Sequence, residues 1–294
     1  MPADVPSLSS LLSVVGRTPP RELTEARVRL HFAAQPVAAF GFTVLDARED
    51  FSHTALHWSH AANALVSETD QASGLFAALH IRDFAVALHG SAGEVERLPL
   101  DGRTLDDVYD WLEQALGRAG RPATDGIVKP GHMGDMPTHP VGEGGALASP
   151  DAGKLEELEA WMAAADVLLR DVVAQTPAMG PALCWPHHFD TATLHVLAGS
   201  GESMRSVGVG LSPGDGAYDQ PYVYVTPWPY PEGPLPSLPG GGTWHTEGWT
   251  GAVLRADALL EGEGGEARAH RLLEFVRFAH GVGVERLTGK EGDA

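Results

Sequence analysis

Apolar residues recur every three to four positions in three segments of the chain, which predicts three amphipathic helices. The first helix follows Thr104-Leu105-Asp106-Asp107, a sequence typical of a capping box. The second is expected to start at Ser149-Pro150-Asp151, with serine as the N-cap and proline at the first helical position. The third covers Glu266 to His280, and Gly281 is expected to end it.

The segment from Glu22 to Leu45 is apolar over most of its length and fits either a strand or a helix. Val28, Leu30 and Phe32 alternate as they would in a strand, but the apolar run is far longer than a typical strand. Length therefore favours a helix that is kinked or interrupted near Pro36.

Short runs typical of strands lie between these helices, and Gly, Asn, Asp and Ser separate them as in an antiparallel meander. The order predicts an α+β fold with antiparallel sheet flanked by helices, arranged as two similar helix-sheet-helix modules in one compact unit. The predicted strands are Thr54 to Trp58, Ala64 to Ser67, Leu75 to Ile81, Phe84 to His89, Val95 to Leu100, Ala192 to Leu197, Val207 to Leu211, Tyr222 to Thr226 and Trp244 to Leu254.

Proline and glycine mark the expected boundaries between these modules. Residues 1–21 are expected to form a loosely held leader, and residues 121–148 a linker or surface loop. The first module then covers residues 22–120 and the second covers residues 149–284.

The charge balance limits the classes of partner, because 39 acidic residues face 20 basic ones and give a formal net charge of −19. Nucleic acids and anionic membranes need clustered Lys and Arg, so neither is expected as a partner. The single cysteine, Cys184, excludes an internal disulfide, and no segment predicts a signal peptide. A cytoplasmic protein is therefore expected.

The chemistry is concentrated between Ala182 and Leu254. The chain lacks a dinucleotide-binding glycine pattern, a phosphate-binding loop, a serine elbow and the common zinc spacings. If the segment after Pro186 is extended, His188 and Asp190 share one face of a strand, and His245 and Glu247 share one face of another.

Two imidazoles with two carboxylates are ligands that zinc, manganese or ferrous iron accept, so the predicted metal set is His188, Asp190, His245 and Glu247. The same groups could serve in acid–base chemistry without a metal, or form a buried polar network that fixes packing. The spacing itself matches no specific metal signature, which favours the network.

Aromatic residues surround these groups and complete a candidate pocket. Asp215 lies in a predicted β-turn and is a further candidate, and Gly208 and Gly210 leave a strip of one strand face without side chains. The full candidate set is Trp185, His187, His188, Asp190, Asp215, Tyr222, Tyr224, Trp228, Trp244, His245, Glu247 and Trp249.

Four blocks in this region resemble, in the same order, the motif blocks of an uncharacterised bacterial family known only as a domain of unknown function. The resemblance extends from about Leu23 to Gly281. It implies a helix for the first segment and a structural role for Asp190, and it implies no activity. The blocks are Trp185-Pro186-His187-His188-Phe189-Asp190, Gly210-Leu211-Ser212-Pro213-Gly214-Asp215, Pro221-Tyr222-Val223-Tyr224-Val225-Thr226-Pro227-Trp228-Pro229 and Trp244-His245-Thr246-Glu247-Gly248-Trp249.

Three functions remain open on the sequence. The first is a non-catalytic or small-molecule-binding protein with an aromatic cleft. The alternative is a hydrolase-like enzyme that depends on a divalent metal at His188, Asp190, His245 and Glu247. In the third, the motif blocks are architectural and the protein acts through another surface.

Overall fold

The computed structural model describes residues 5–131, 136–261 and 264–289, so residues 132–135 of the predicted linker and 1–4 of the predicted leader lie outside it. The chain forms two compact units. Unit 1 is built mainly from Leu23–Glu159 and Cys184–Phe189, and unit 2 from Pro6–Glu22, Ala160–Leu183 and the described residues from Asp190 onward. The structure contains two antiparallel sheets flanked by helices, which confirms the predicted α+β class.

The first sheet lies in unit 1 and is a meander, as predicted. Its strands follow one another in the order β1-β2-β3-β4-β5, and each neighbouring pair is antiparallel. The strands are β1 (His57–Ser59), β2 (Ala64–Val66), β3 (Phe76–His80), β4 (Ala85–Gly90) and β5 (Gly93–Pro99).

The α-helices in the described ranges confirm the predicted helical segments and add two short ones. None of them combines the length and the apolar composition that crossing a bilayer requires. The helices are α1 (Leu8–Val14), α2 (Thr24–Val44), α3 (Leu105–Arg118), α4 (Ala152–Gln175), α5 (Ala256–Leu260) and α6 (Gly264–Thr288).

The ambiguous first segment is the helix α2, which continues through Pro36 without interruption. Most of its residues are buried, and it contacts both α3 and β3. The backbone of His53 lies so close to α2 at Gly41 that only glycine fits there. A Cβ at Gly41 would lie 2.3 Å from the carbonyl oxygen of His53. Burial on nearly all sides explains why the segment shows no helical period.

The α3 helix begins with the predicted capping box: the Thr104 side chain accepts from the backbone N–H of Asp107, and the Asp107 carboxylate accepts from that of Thr104. Trp111 and Arg118 donate to the Glu96 carboxylate on β5. These bonds place α3 on the face of the sheet to which Glu96 points.

The predicted N-cap of α4 was wrong. The helix begins at Ala152, and the Asp151 carboxylate accepts from the backbone N–H of Gly153 at 2.9 Å. Ser149 instead donates its own backbone N–H to Asp101 at 2.8 Å. Asp151 is an equally good capping residue, so sequence alone does not separate the two positions.

The second sheet has six strands. Five lie in unit 2 in the order β10-β11-β9-β8-β7, and β6 spans the boundary at which the chain passes between the units. The strands are β6 (Leu183–Trp185), β7 (Asp190–Ala198), β8 (Arg205–Ser212), β9 (Tyr222–Trp228), β10 (Thr243–His245) and β11 (Gly251–Arg255).

Two expectations for unit 2 were wrong. The single strand predicted from Trp244 to Leu254 is an antiparallel hairpin of β10 and β11, and Gly248 in the connection has a φ of +84°. The last helix continues past Gly281 to Thr288. Gly283 allows this longer α6 to approach β8, because a Cβ there would lie 3.1 Å from Val207.

The segment predicted as a leader contains α1, which packs against α6. Leu8 and Leu12 are buried. The contact is close at Gly265, where a Cβ would lie 1.9 Å from the carbonyl oxygen of Ser9.

Replacing Thr104 with Ala is expected to lower the free energy of unfolding by about 1 kcal/mol, because it removes the N-cap bond of α3. Gln114→Ala, on the exposed surface of the same helix, is the matched control and should change it by less than about 0.5 kcal/mol. Urea denaturation of the two variants measures the difference. Equal midpoints for both variants would show that the capping box does not stabilise the fold.

Candidate functional site

The predicted histidine pair lies in a turn of unit 1 rather than in a strand. His187 and His188 are exposed, and Phe189 is buried with a φ of +58°. The carbonyl of Pro186 accepts from the Nε2 atoms of both His31 and Gln35, each at 2.8 Å. The prediction of an extended segment through His188 was therefore wrong, because these contacts with α2 fold the chain into a turn.

Phe189 adds a second anchor for this turn. Its ring stacks on His31 with 5.3 Å between ring centroids and an interplanar angle of 10°. Trp185 is half-buried, and its ring meets His187 edge to face at 6.0 Å. The Trp-Pro-His-His-Phe block thus holds the turn on α2 and leaves the His187 and His188 side chains exposed.

Asp190 begins β7 in unit 2 and accepts a short hydrogen bond from the Tyr224 hydroxyl. The strip without side chains at Gly210 is filled by the same tyrosine, since a Cβ at Gly210 would lie 2.4 Å from the Cζ atom of Tyr224. Burial and the neighbouring Asp190 raise the pKa of Tyr224 well above its usual range, so its hydroxyl stays protonated and donates.

Asp215 lies in the loop after β8, and both oxygens of its carboxylate accept hydrogen bonds. Oδ1 accepts from the backbone N–H groups of Ala217 and Tyr218, both at 2.8 Å. Oδ2 accepts from the Tyr222 hydroxyl at 2.6 Å. The Asp215 carboxylate is thus held within unit 2 by three hydrogen bonds.

His245 has partners at both ring nitrogens. Nε2 donates to the Glu247 carbonyl at 2.7 Å, which leaves Nδ1 to accept from the Tyr218 hydroxyl at 2.8 Å. Its ring stacks on Trp249 at 4.3 Å, while the Glu247 side chain is exposed. A metal at His245 would have to break one of these bonds.

The remaining aromatic candidates are spread along the same unit. Trp244 donates its indole N–H to the Pro236 carbonyl at 2.8 Å. Trp228 is 45% exposed and meets the Tyr230 ring edge to face. The structure therefore brings Asp190 to Tyr224, Asp215 to Tyr222, and His245 to Trp249. It does not bring Asp190, His245 and Glu247 together as metal ligands.

Within the described residues, a single group of three metal-ligating side chains has its ligand atoms within 4.8 Å of one another. This His–Glu cluster consists of His80, His89 and Glu94, on β3, β4 and β5 of unit 1. The Nε2 atoms of His80 and His89 are 3.1 Å apart. The two histidines are 8% and 9% exposed, while Glu94 lies at the surface.

Strand register explains how two distant histidines meet. His80 pairs with Ala85 and His89 pairs with Phe76, so the two rings belong to the same sheet face near opposite ends of the β3–β4 ladder. The paired residues between them on that face are Ala78 and Ala87, whose small side chains leave room for both rings. Phe76 stacks on His89 with 5.0 Å between ring centroids.

Glu94 faces the cluster because it pairs directly with His89 beside the β4–β5 turn, and a β-bulge follows it in β5. Leu88 pairs with Glu96, but His89 pairs with Glu94, so Val95 is an extra residue without a partner in the ladder. In a regular strand Glu94 and Glu96 would point to the same face. The bulge instead puts Glu96 on the opposite face, where it contacts α3, while Glu94 stays beside His89.

Arg97 lies beside the cluster on the same face. Its Nη2 donates to Glu94 Oε2 at 2.6 Å, and its Nε lies 2.9 Å from Oε2 and 3.1 Å from Oε1. Its Nη1 donates to Asp83 Oδ2 at 2.7 Å. One guanidinium therefore joins two carboxylates at the edge of the cluster.

Both imidazoles of the cluster are held in the neutral form. Burial and the Arg97 charge lower the pKa of His80 to about 4. Burial also lowers the pKa of His89. Neutral imidazoles keep the nitrogen lone pair that a metal ligand needs.

A second histidine pair in unit 2 offers a comparison. His195 Nδ1 on β7 lies 3.0 Å from His280 Nε2 on α6, and the rings stack at 5.1 Å. This pair is not part of a three-ligand group in the described part of the chain. Burial lowers the pKa of His280 to about 4, which keeps the pair neutral and its single hydrogen bond intact.

The His–Glu cluster was missed on the sequence, although part of its signal is there. His80 is the penultimate residue of one predicted strand and His89 is the last residue of the next, and a hairpin register would have placed them on one face. Glu94 was missed because the predicted strand began at Val95 and left Glu94 in the preceding turn.

Comparisons of the chain with protein-family models, with curated proteins and with solved structures found no match. The resemblance of the four motif blocks therefore stays a prediction, and the chemistry of the site is argued from its geometry.

The His195–His280 pair is expected to make stability depend on pH. Between pH 6.5 and about 4 the unfolded chain binds a proton at His280 that the folded chain does not, so stability falls as the pH is lowered through this window. His80 contributes in the same direction. In His280→Gln the loss of stability between pH 7 and pH 5 should be smaller than in the parent.

Urea midpoints at the two pH values measure this loss. His270→Gln is the matched control, since His270 is exposed on the same helix, and it should leave the loss unchanged. An equal loss in His280→Gln and in the parent would contradict the assignment.

Proposed function

We propose that the protein binds a divalent transition-metal ion at His80, His89 and Glu94. The observation that carries the proposal is the 3.1 Å separation of the two Nε2 atoms. Two nitrogens about 2.0 to 2.1 Å from one metal, with an angle of about 90° to 110° between them, lie about 2.9 to 3.4 Å apart. The two imidazoles are thus already spaced as ligands of one ion.

The donor set supports a particular class of metal. Two imidazole nitrogens and one carboxylate oxygen suit zinc and its neighbours manganese, iron, cobalt and nickel. Calcium and magnesium prefer sites made of oxygen ligands, so they fit poorly here. Three protein ligands also leave a tetrahedral ion one position for water or for a small ligand.

Without a metal, one Nε2–H group would donate to the other Nε2 atom, and 3.1 Å suits that hydrogen bond as well. The His195–His280 pair has a similar separation of 3.0 Å. The difference between the pairs is Glu94, which joins the first pair as a third ligand. Comparing the two pairs therefore separates metal binding from simple imidazole pairing.

Untagged protein is expected to bind about one equivalent of zinc per chain, measured by elemental analysis after dialysis against zinc and by calorimetric titration. His80→Ala, His89→Ala and Glu94→Gln should each weaken binding by about tenfold or more, because each removes one of three ligands. His195→Ala is the matched control and should bind zinc as the parent does.

The proposal fails if the folded parent takes up no zinc, manganese, cobalt or nickel. It also fails if His195→Ala loses as much zinc as His80→Ala, which would indicate weak binding at scattered surface histidines. Circular dichroism of each variant establishes that the fold is retained.

A second candidate function is small-molecule binding on the aromatic residues of unit 2, as expected from the sequence. The observation that favours it is exposure: Trp228 is 45% exposed and Tyr230 is 39% exposed. Large aromatic surfaces that remain open to solvent are typical of ligand contacts. The polar groups nearer the centre of this unit are already bonded to one another, which favours an apolar or ring-bearing ligand.

Ring-bearing compounds in a thermal-shift screen are expected to raise the melting temperature of the parent, and Trp228→Ala should abolish the effect. Trp111→Ala, in unit 1, is the control that should keep it. If no compound in a ring-rich library raises the melting temperature by more than about 2 °C, a gain of about 1 kcal/mol, this candidate is rejected.

A further inference from the structure

We propose that Arg97 regulates the metal site by competing with the ion for Glu94, with Asp83 receiving the guanidinium when the ion binds. This inference rests on the proposed metal binding at His80, His89 and Glu94. It concerns the affinity of that site rather than its existence.

Arg97 already forms hydrogen bonds with the carboxylate of Glu94, the third ligand of the proposed site. Its Nη2 and Nε atoms lie 2.6 Å and 2.9 Å from Glu94 Oε2, and Nε lies 3.1 Å from Oε1. Both carboxylate oxygens thus face the guanidinium, and the negative charge that would attract a cation is neutralised. A metal ion has to take at least one of these oxygens from Arg97.

Asp83 provides a second carboxylate with which Arg97 can pair. Arg97 Nη1 donates to Asp83 Oδ2 at 2.7 Å, so the guanidinium is anchored before it releases Glu94. Asp83 is exposed, which means that keeping the guanidinium there buries no unpaired charge. When the metal ion binds, it replaces Arg97 as the cation on Glu94, and Arg97 stays paired with Asp83.

The bulge at Val95 is what makes the competition possible. Glu94 and Arg97 are three positions apart, so in a regular strand they would point to opposite faces. The extra residue in the ladder puts both on the face that carries His80 and His89. The guanidinium and the two imidazoles therefore meet the same carboxylate from neighbouring positions.

An opposite role for Arg97 makes the inference testable. If Arg97 held Glu94 in position for the metal, its removal would weaken binding by about 10- to 100-fold, as removing an orienting partner of a metal ligand does. If Arg97 competes, its removal strengthens binding. The two roles predict changes of opposite sign.

The experiment is calorimetric titration of zinc into the full chain and its folded variants. Arg97→Gln is expected to bind zinc about twofold to fivefold more tightly than the parent, in keeping with the loss of one competing ion pair. Asp83→Asn is expected to bind more weakly, because Arg97 loses its alternative acceptor. Arg97→Lys keeps the charge without the two-pronged contact and should lie between Arg97→Gln and the parent.

Arg118→Gln is the matched control. Arg118 forms the same kind of pair with Glu96, on the other face of the same strand, and its loss should leave zinc affinity unchanged. Equal tightening in Arg118→Gln and Arg97→Gln would attribute the effect to overall charge and overturn the inference.

The outcomes separate this inference from the proposed function. Zinc binding by the parent together with unchanged or weaker binding by Arg97→Gln overturns the competition and leaves the metal site standing. Absence of binding in the parent and in Arg97→Gln overturns both. Binding that is tighter in Arg97→Gln than in the parent and is lost in the double variant Glu94→Gln/Arg97→Gln supports both.

Discussion

Each sheet has one face that must be covered by a helix, and this constraint decides where polar chemistry can lie. In unit 1 the face that carries Glu96 meets α3, so His80, His89 and Glu94 belong to the other face. In unit 2 α6 packs on β8 and β9 at Val207, and Tyr222 and Tyr224 lie on the opposite face. A buried polar group on either face requires a partner, which is why these side chains occur as bonded sets.

This constraint also explains why the motif blocks looked like a catalytic site. Tyrosine, aspartate and histidine side chains that lie on a half-covered sheet face need hydrogen bonds, and here Tyr222 donates to Asp215 and Tyr224 donates to Asp190. The same holds for Pro186, whose carbonyl is covered by two side chains of α2. The residue types of an active site and of a satisfied polar network are the same, and only bond geometry separates them.

The spacing of apolar residues predicted most helices and strands, because an element that is buried on one side repeats apolar residues at its own period. The capping box of α3 and the meander of the first sheet were correct in kind and within a few residues in position. The errors in element bounds occur where a single residue does not play the role that its local sequence predicts. Gly281 could end a helix but lies inside α6, because the helix gains contacts farther along, at Gly283 and Leu287.

The candidate sites were harder to predict because they depend on how chain segments are registered. Phe189 in the left-handed region turns His188 away from the line of β7, and the β10–β11 hairpin ends the strand at His245, so Glu247 does not share a strand face with it. A strand pattern cannot show either change. His80 and His89 follow regular alternation and could have been placed on one face, whereas Glu94 lay just before the predicted strand that began at Val95.

The unpaired residue Val95 also bears on the solubility of the chain. β5 is the last strand in the order of its sheet, and a long regular edge strand is a template on which another polypeptide can add. An extra residue interrupts the row of free backbone groups on that edge, and Val95 itself is 50% exposed. The irregularity that places Arg97 beside the His–Glu cluster thus also disfavours edge-to-edge association between copies of the chain.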